Sequence, residues 1–88
     1  MIERYYKNDN KVYVRVEALF SPEGELLPEA FWWKNGRRYT IDRVTDVCRA
    51  TSLKAGGAGV RYTCIVMGKE VILFYENDRW FIERRGSV

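Results

Sequence analysis

Four residues within one short stretch carry the most suggestive chemistry in the chain: Trp32, Lys34, Arg37 and Arg38, in Phe31-Trp32-Trp33-Lys34-Asn35-Gly36-Arg37-Arg38-Tyr39. An indole held in water among cations can stack a nucleobase while the cations meet phosphates. Arg79 and the pair Arg84 and Arg85 add positive charge towards the C-terminus. Catalytic chemistry is harder to find. There is no histidine for general acid–base work, and neither Cys48 nor Cys64 has an activating base beside it in the chain. Two cysteines without histidine cannot build the usual structural zinc sites. Asp42 and Asp46, four apart, share one side of a strand near Arg43 and Arg49, an arrangement that reads as solvated charges pairing across strands. The glycine-rich run Lys54-Ala55-Gly56-Gly57-Ala58-Gly59 lacks the Gly-Lys-Ser/Thr ending of a phosphate-binding loop. It reads as a connection within residues 52–59. The expectation is a non-enzymatic binding module with no catalytic residue, no metal and no cofactor.

The elements that position these residues follow from size and pattern. A chain of 88 residues supports one core, hence a single small β domain over residues 1–88. A hydrophobic content of 47%, with aromatics at 15%, supplies that core. No apolar run approaches the ~20 residues of a membrane span. The start Met1-Ile2-Glu3-Arg4-Tyr5-Tyr6 has no apolar signal region, so a cytoplasmic, bacterial-type protein is expected. Charge is uneven. Residues 1–36 carry five Lys/Arg against six Asp/Glu (−1), and residues 37–88 carry ten against six (+4), for a net charge of +3. A basic second half suits a phosphate-bearing partner.

Alternation points to strands throughout. Val12, Val14, Val16, Ala18 and Phe20 fall on one face of the first strand, with Lys11, Tyr13, Arg15 and Glu17 on the other. Ser21-Pro22-Glu23-Gly24 suits a type I turn, and Pro28 marks an edge or the start of a strand. For the tryptophan hairpin, a two-residue Asn35-Gly36 turn would place Phe31 and Ile41 on opposite faces. A three-residue loop, Lys34-Asn35-Gly36 with Gly36 left-handed, instead unites Phe31, Trp33, Tyr39 and Ile41. Burying one consistent face outweighs preferences among turn types, at roughly 25 cal/mol per Å². Trp33 is therefore expected inside, and Trp32 outside with Arg38 and Thr40. The pattern slips at Asp42-Arg43-Val44, which suggests a bulge.

In the second half, a Gly68-Lys69 turn would set Tyr62, Cys64 and Val66 opposite Tyr75, Leu73 and Val71, with Arg61 facing Glu76. An Asn77-Asp78 turn would set Tyr75 and Leu73 opposite Trp80 and Ile82. Both cysteines read as buried hydrophobes. The whole is read as all-β: a six-stranded antiparallel meander curled into a small half-open barrel, with Ile2–Tyr6 as an extra edge. Ile65, Ile72, Phe74 and Phe81 cluster on the opposite side of the last three strands, near Met67. That face calls for cover from the N-terminal strand or from Leu26 and Leu27, or for association with a partner or a second copy.

Pro28, Phe31, Trp33, Gly36, Arg37, Tyr39 and Ile41, followed by Val71-Ile72-Leu73-Phe74-Tyr75-Glu76-Asn77-Asp78-Arg79-Trp80-Phe81-Ile82-Glu83-Arg84, form a recognisable series. They resemble an uncharacterised family of small bacterial all-β domains with a Pro-x-x-Phe-x-Trp … Gly-Arg-x-Tyr-x-Val/Ile motif. The resemblance spans most of the chain apart from about residues 48–60, and this chain has one extra residue in the turn. It implies a shared fold and brings no activity with it. Some members are encoded beside error-prone DNA polymerase genes, an associational pointer towards DNA that assigns no residue. Two functions thus stand as expectations: weak binding of single-stranded nucleic acid through Trp32, Lys34, Arg37, Arg38, Arg84 and Arg85, or a protein–protein or homodimer contact through Ile65, Ile72, Phe74 and Phe81. No membrane role is expected.

Overall fold

β-Branched and aromatic residues in alternation have produced strands, and the described residues contain no helix. The structure, a computed structural model, describes residues 11–51 and 58–83. The expected edge at Ile2–Tyr6, most of the glycine-rich connection, and Arg84 and Arg85 lie outside the described residues. Eight strands follow one another: β1 (Lys11–Tyr13), β2 (Arg15–Phe20), β3 (Leu26–Trp32), β4 (Arg38–Thr40), β5 (Arg43–Thr51), β6 (Ala58–Val66), β7 (Lys69–Glu76) and β8 (Arg79–Glu83). They form two antiparallel sheets, one in the order β1-β8-β7-β6-β5 and the other β2-β3-β4. The sheets do not close into a barrel.

Eight strands rather than six arise because two runs of chain change sheets midway. Val14 separates β1 from β2, and its N–H donates to the Trp80 carbonyl (3.0 Å). Ile41 and Asp42 separate β4 from β5, and their N–H groups donate to Glu29 O (2.9 Å) and Ile65 O (2.8 Å), one in each sheet. Sheet-to-sheet packing then buries Phe31 against Tyr62, Cys64, Val66 and Leu73, with Val14, Val16, Trp33, Tyr39, Trp80 and Ile82 around them.

The tryptophan hairpin has the three-residue loop. Phe31 faces Tyr39 and Trp32 faces Arg38. Trp33 N–H donates to Arg37 O (2.9 Å), and Gly36 carries a φ of 86°. The Asn35 side chain accepts from Arg37 N–H (2.9 Å), bracing the loop. The Ser21–Gly24 turn is closed by Gly24 N–H to Ser21 O (2.8 Å). The Asn77-Asp78 reversal also stands where it was placed, with Tyr75 opposite Trp80 and Leu73 opposite Ile82. Its two central φ values, 55° and 63°, match the twist of a type I′ hairpin.

Other expectations need correction. The β6–β7 turn is Met67-Gly68, not Gly68-Lys69, so Val66 faces Lys69, Cys64 faces Val71 and Tyr62 faces Leu73. Both Met67 (φ 52°) and Gly68 (φ 78°) are left-handed, which gives the type I′ twist that a tight hairpin favours. The Asp42 carboxylate secures the turn by accepting from Met67 N–H (3.2 Å). The shift is by two residues in pairing, so the buried face survives. Arg61 consequently faces Phe74, while Glu76 faces Arg79 and takes Lys11 as its ion-pair partner (3.9 Å). The bulge in β5 lies between Val44 and Asp46, slightly beyond its expected place. A second bulge lies opposite Glu17 and Ala18, with Glu29 of β3 as the extra residue. Phe20, assigned to the core face, is 70% exposed at the very end of β2. Cys64 is fully buried but Cys48 only half-buried.

Candidate nucleic-acid interface

The middle strand of the three-stranded sheet presents Trp32 outwards, with Arg15 opposite it on β2 and Arg38 opposite it on β4. The guanidinium carbons lie 4.6 Å and 5.6 Å from the indole centroid, so the ring is clasped by cations and half-buried rather than standing free in water. Arg38 is already engaged. Its Nη2 pairs with Glu17 and its Nη1 donates to Thr40 Oγ1 (3.4 Å), the two residues that flank Ala30 across the sheet. The guanidinium thus spans β3 above Ala30, which is 0% exposed and leaves room for it.

Lys34 and Arg37 sit elsewhere on the hairpin. Arg37 shares the core-side face with Trp33 and lies over Tyr39 (5.7 Å), and Lys34 lies over Trp33 (5.7 Å). The four candidate residues therefore divide. Trp32 and Arg38 occupy the outer face, and Lys34 and Arg37 wrap the tip. Arg15, Lys34 and Arg37 have no carboxylate partner among the described residues.

The strand path from Lys11 to Glu17 continues this pattern across the corner between the sheets. Val14 and Val16 face the core, so Lys11, Tyr13, Arg15 and Glu17 face outwards. Lys11 Nζ lies over Phe81 (4.6 Å), Arg79 lies over Tyr13 (3.6 Å), and Arg15 lies over Trp32. Three aromatic rings in a row each carry a cation. Tyr13 stays 46% exposed and meets Phe81 edge-on (5.5 Å). Arg15, Tyr13 and Lys11 were not singled out from the sequence, although their shared outward face was. Their ring partners lie on strands distant in sequence, and only the register brings them together.

The second apolar face is real but smaller than its residue types imply. Phe74 stacks on Phe81 at 5.0 Å, and β1 shields Phe81 to 4% exposure. Ile65 and Ile72 are half-buried, and Met67 beside them is 72% exposed. Leu26 and Leu27 do not cover this face. They line a cleft between the sheets.

Among the described residues no three carboxylates or cysteines cluster to hold a metal ion, and no helix is long and apolar enough to cross a membrane. Burial pushes the Cys64 thiol from its ordinary value of 9.0 up to about 11, the opposite of an activated nucleophile. Burial likewise raises Tyr62, and donation to Asp78 (2.9 Å) raises Tyr75. Asp42 serves the fold through its bond to Met67. No protein-family model, curated protein or solved structure matches the chain.

Proposed function

We propose that this chain is a non-enzymatic module that binds single-stranded nucleic acid weakly along the outward side of Lys11–Glu17 and the adjoining face of Trp32. The observation that carries the reading is the row of rings each overlaid by a cation: Phe81 with Lys11, Tyr13 with Arg79, and Trp32 with Arg15. Bases can stack on exposed Tyr13 and half-buried Trp32 whatever their identity, and the cations beside the rings reach the phosphates. Phe81, at 4% exposure, serves only to hold Lys11. A base entering beside Trp32 displaces Arg15 from the indole towards a phosphate, whereas Arg38, tied to Glu17, stays in place. Lys34 and Arg37 at the hairpin tip, and Arg84 and Arg85 at the C-terminus, extend the positive field.

The fold supports the same reading. Followed along the chain, β1–β2 and β4–β5 are two bent ribbons, so the eight strands trace a six-ribbon antiparallel meander wrapped as a half-open barrel. The backbone bonds at Val14, Ile41 and Asp42 support that description. Small barrels of this kind present an outer strand face to single strands.

Titration with a short oligothymidylate at low ionic strength tests the reading. Tryptophan fluorescence should fall and should recover on addition of salt. Tyr13→Ala and Trp32→Ala should each weaken binding by roughly ten-fold, in line with the loss of one stacked base. Unchanged fluorescence and no change in sedimentation with oligonucleotide would refute it. Exposed Met67 beside Ile65 and Ile72 favours a second reading, self-association through the outer face of the five-stranded sheet. Ile72→Lys should then convert a dimer to a monomer in sedimentation, and a wild-type monomer at high concentration removes that reading.

A further inference from the structure

A cleft of about 520 Å³ opens between the two sheets and shares no residue with the row of cations and rings. Its floor is Val60, Tyr62 and Tyr75; its walls are Leu26 and Leu27 of β3 and Val47–Arg49 of β5. Both walls are strand edges. β3 pairs with β4 only over Ala30–Trp32, with Ile41 N–H reaching Glu29 O one step further, so Leu26 and Leu27 have a strand neighbour on the β2 side alone. β5 pairs with β6 on one side, and no described strand adjoins its other side. The Leu26 carbonyl is turned towards β6, where the Tyr62 hydroxyl donates to it at 2.5 Å. A side chain thereby supplies the donor that a next strand would bring.

We infer that this cleft takes an extended peptide as an added strand on the free edge of β5, with its inward side chains against Leu26 and Leu27 of β3. The free edge of β5 offers main-chain donors and acceptors to an inserted strand, which an aliphatic ligand would leave unpaired. On β3 the Leu26 carbonyl is already held by Tyr62 and Pro28 has no N–H, so that wall contributes apolar side chains. Every second side chain of the insert would rest on the apolar floor, with Phe20 (70% exposed) and Val47 (49% exposed) closing over it. Arg49 has no carboxylate partner among the described residues, so the insert carries an acidic residue beside β5. The edge is otherwise unguarded here: the bulge of β5 lies before Asp46, and Val47 and Cys48 carry no charge.

The test uses the full chain and three N-acetylated, C-amidated heptapeptides. One alternates Val and Thr and ends in Glu, one has Lys in place of that Glu, and one has Pro in place of its central Val. Amide exchange is followed by NMR. The Glu peptide should slow exchange by about ten-fold or more at alternate amides of the β5 wall, within Val47–Arg49, and the Pro peptide should not. Arg49→Glu should weaken the Glu peptide by about three-fold and reverse the preference between Glu and Lys. No slowing at millimolar peptide overturns the inference, as do methyl shifts at Val47 and Val60 without amide protection, which mark an apolar small-molecule pocket. Wall amides protected before peptide is added also overturn it. Protection independent of concentration assigns the cleft to this chain itself, and protection that grows with concentration assigns it to a second copy.

Discussion

Arg15 and Arg38 lie over one indole, but among the described residues only Arg38 has a carboxylate partner, and on the proposed reading this separates a residue free to meet phosphate from one that holds the sheet. Arg15→Ala should lower oligonucleotide affinity about five-fold and flatten its salt dependence by roughly 0.7 in log–log slope, with stability nearly unchanged. Arg38→Ala should do the reverse. It leaves the slope alone and costs about 1 kcal/mol in urea unfolding, because the exposed ion pair and the ring contact are each worth a fraction of that. Equal effects on slope would place both side chains on phosphates. At Cys64 the linkage runs towards alkaline pH. The unfolded thiol ionises near 9.0 and the buried one near 11, so the native state holds the proton longer and stability falls as pH rises between them. Discounted for solvent that reaches the group as the chain loosens, the loss is about 1–2 kcal/mol. Tyr62 and Tyr75 are shifted the same way, so the check is the difference between wild type and Cys64→Ala in unfolding at pH 8 and pH 10.5. Parallel curves would show that the thiol is not the source.

Among the elements, the hairpin turns show how far local sequence reaches. The Trp33–Arg37 loop was legible because Phe31, Trp33, Tyr39 and Ile41 must share a face, and only one loop length permits it. The β6–β7 turn was not, because shifting it by one residue changes the pairing by two and leaves every core residue inside; parity is blind to that error. What decides it is backbone twist, which put Met67 at a φ of 52° where asparagine or glycine is the usual occupant. Met67→Asn should therefore stabilise the domain by about 0.5–1 kcal/mol, raising Tm by roughly 3–6 °C, and a lower Tm would contradict a left-handed Met67. Gly36→Ala should act oppositely. Its site is open to a methyl group, so the cost, about 1 kcal/mol, comes from the φ of 86° alone.

At the scale of the molecule, the all-β class and the core were readable because alternation persists along nearly every strand. The row of cations and rings was not, since Lys11 meets Phe81 and Arg79 meets Tyr13 across some 70 residues of chain. Those encounters depend on how the first run of chain crosses from β8 to β3 at Val14, which no local pattern announces. The same crossing determines the electrostatic footprint. Lys11 and Arg38 have carboxylate partners, whereas Arg15, Lys34 and Arg37 have none among the described residues, and Arg79 faces a Glu76 whose carboxylate is directed to Lys11. Four cations meeting phosphates would release enough counterions for a log K against log salt slope of roughly −3 on single strands. A slope near −1 would mean that stacking acts almost alone. A slope steeper than about −5 would require the paired cations to abandon Glu17 and Glu76, and binding should then loosen the three-stranded sheet, seen as faster amide exchange at Ala30–Trp32. The measured slope thus reports which of the cations the fold has left available, a quantity that net charge alone does not contain.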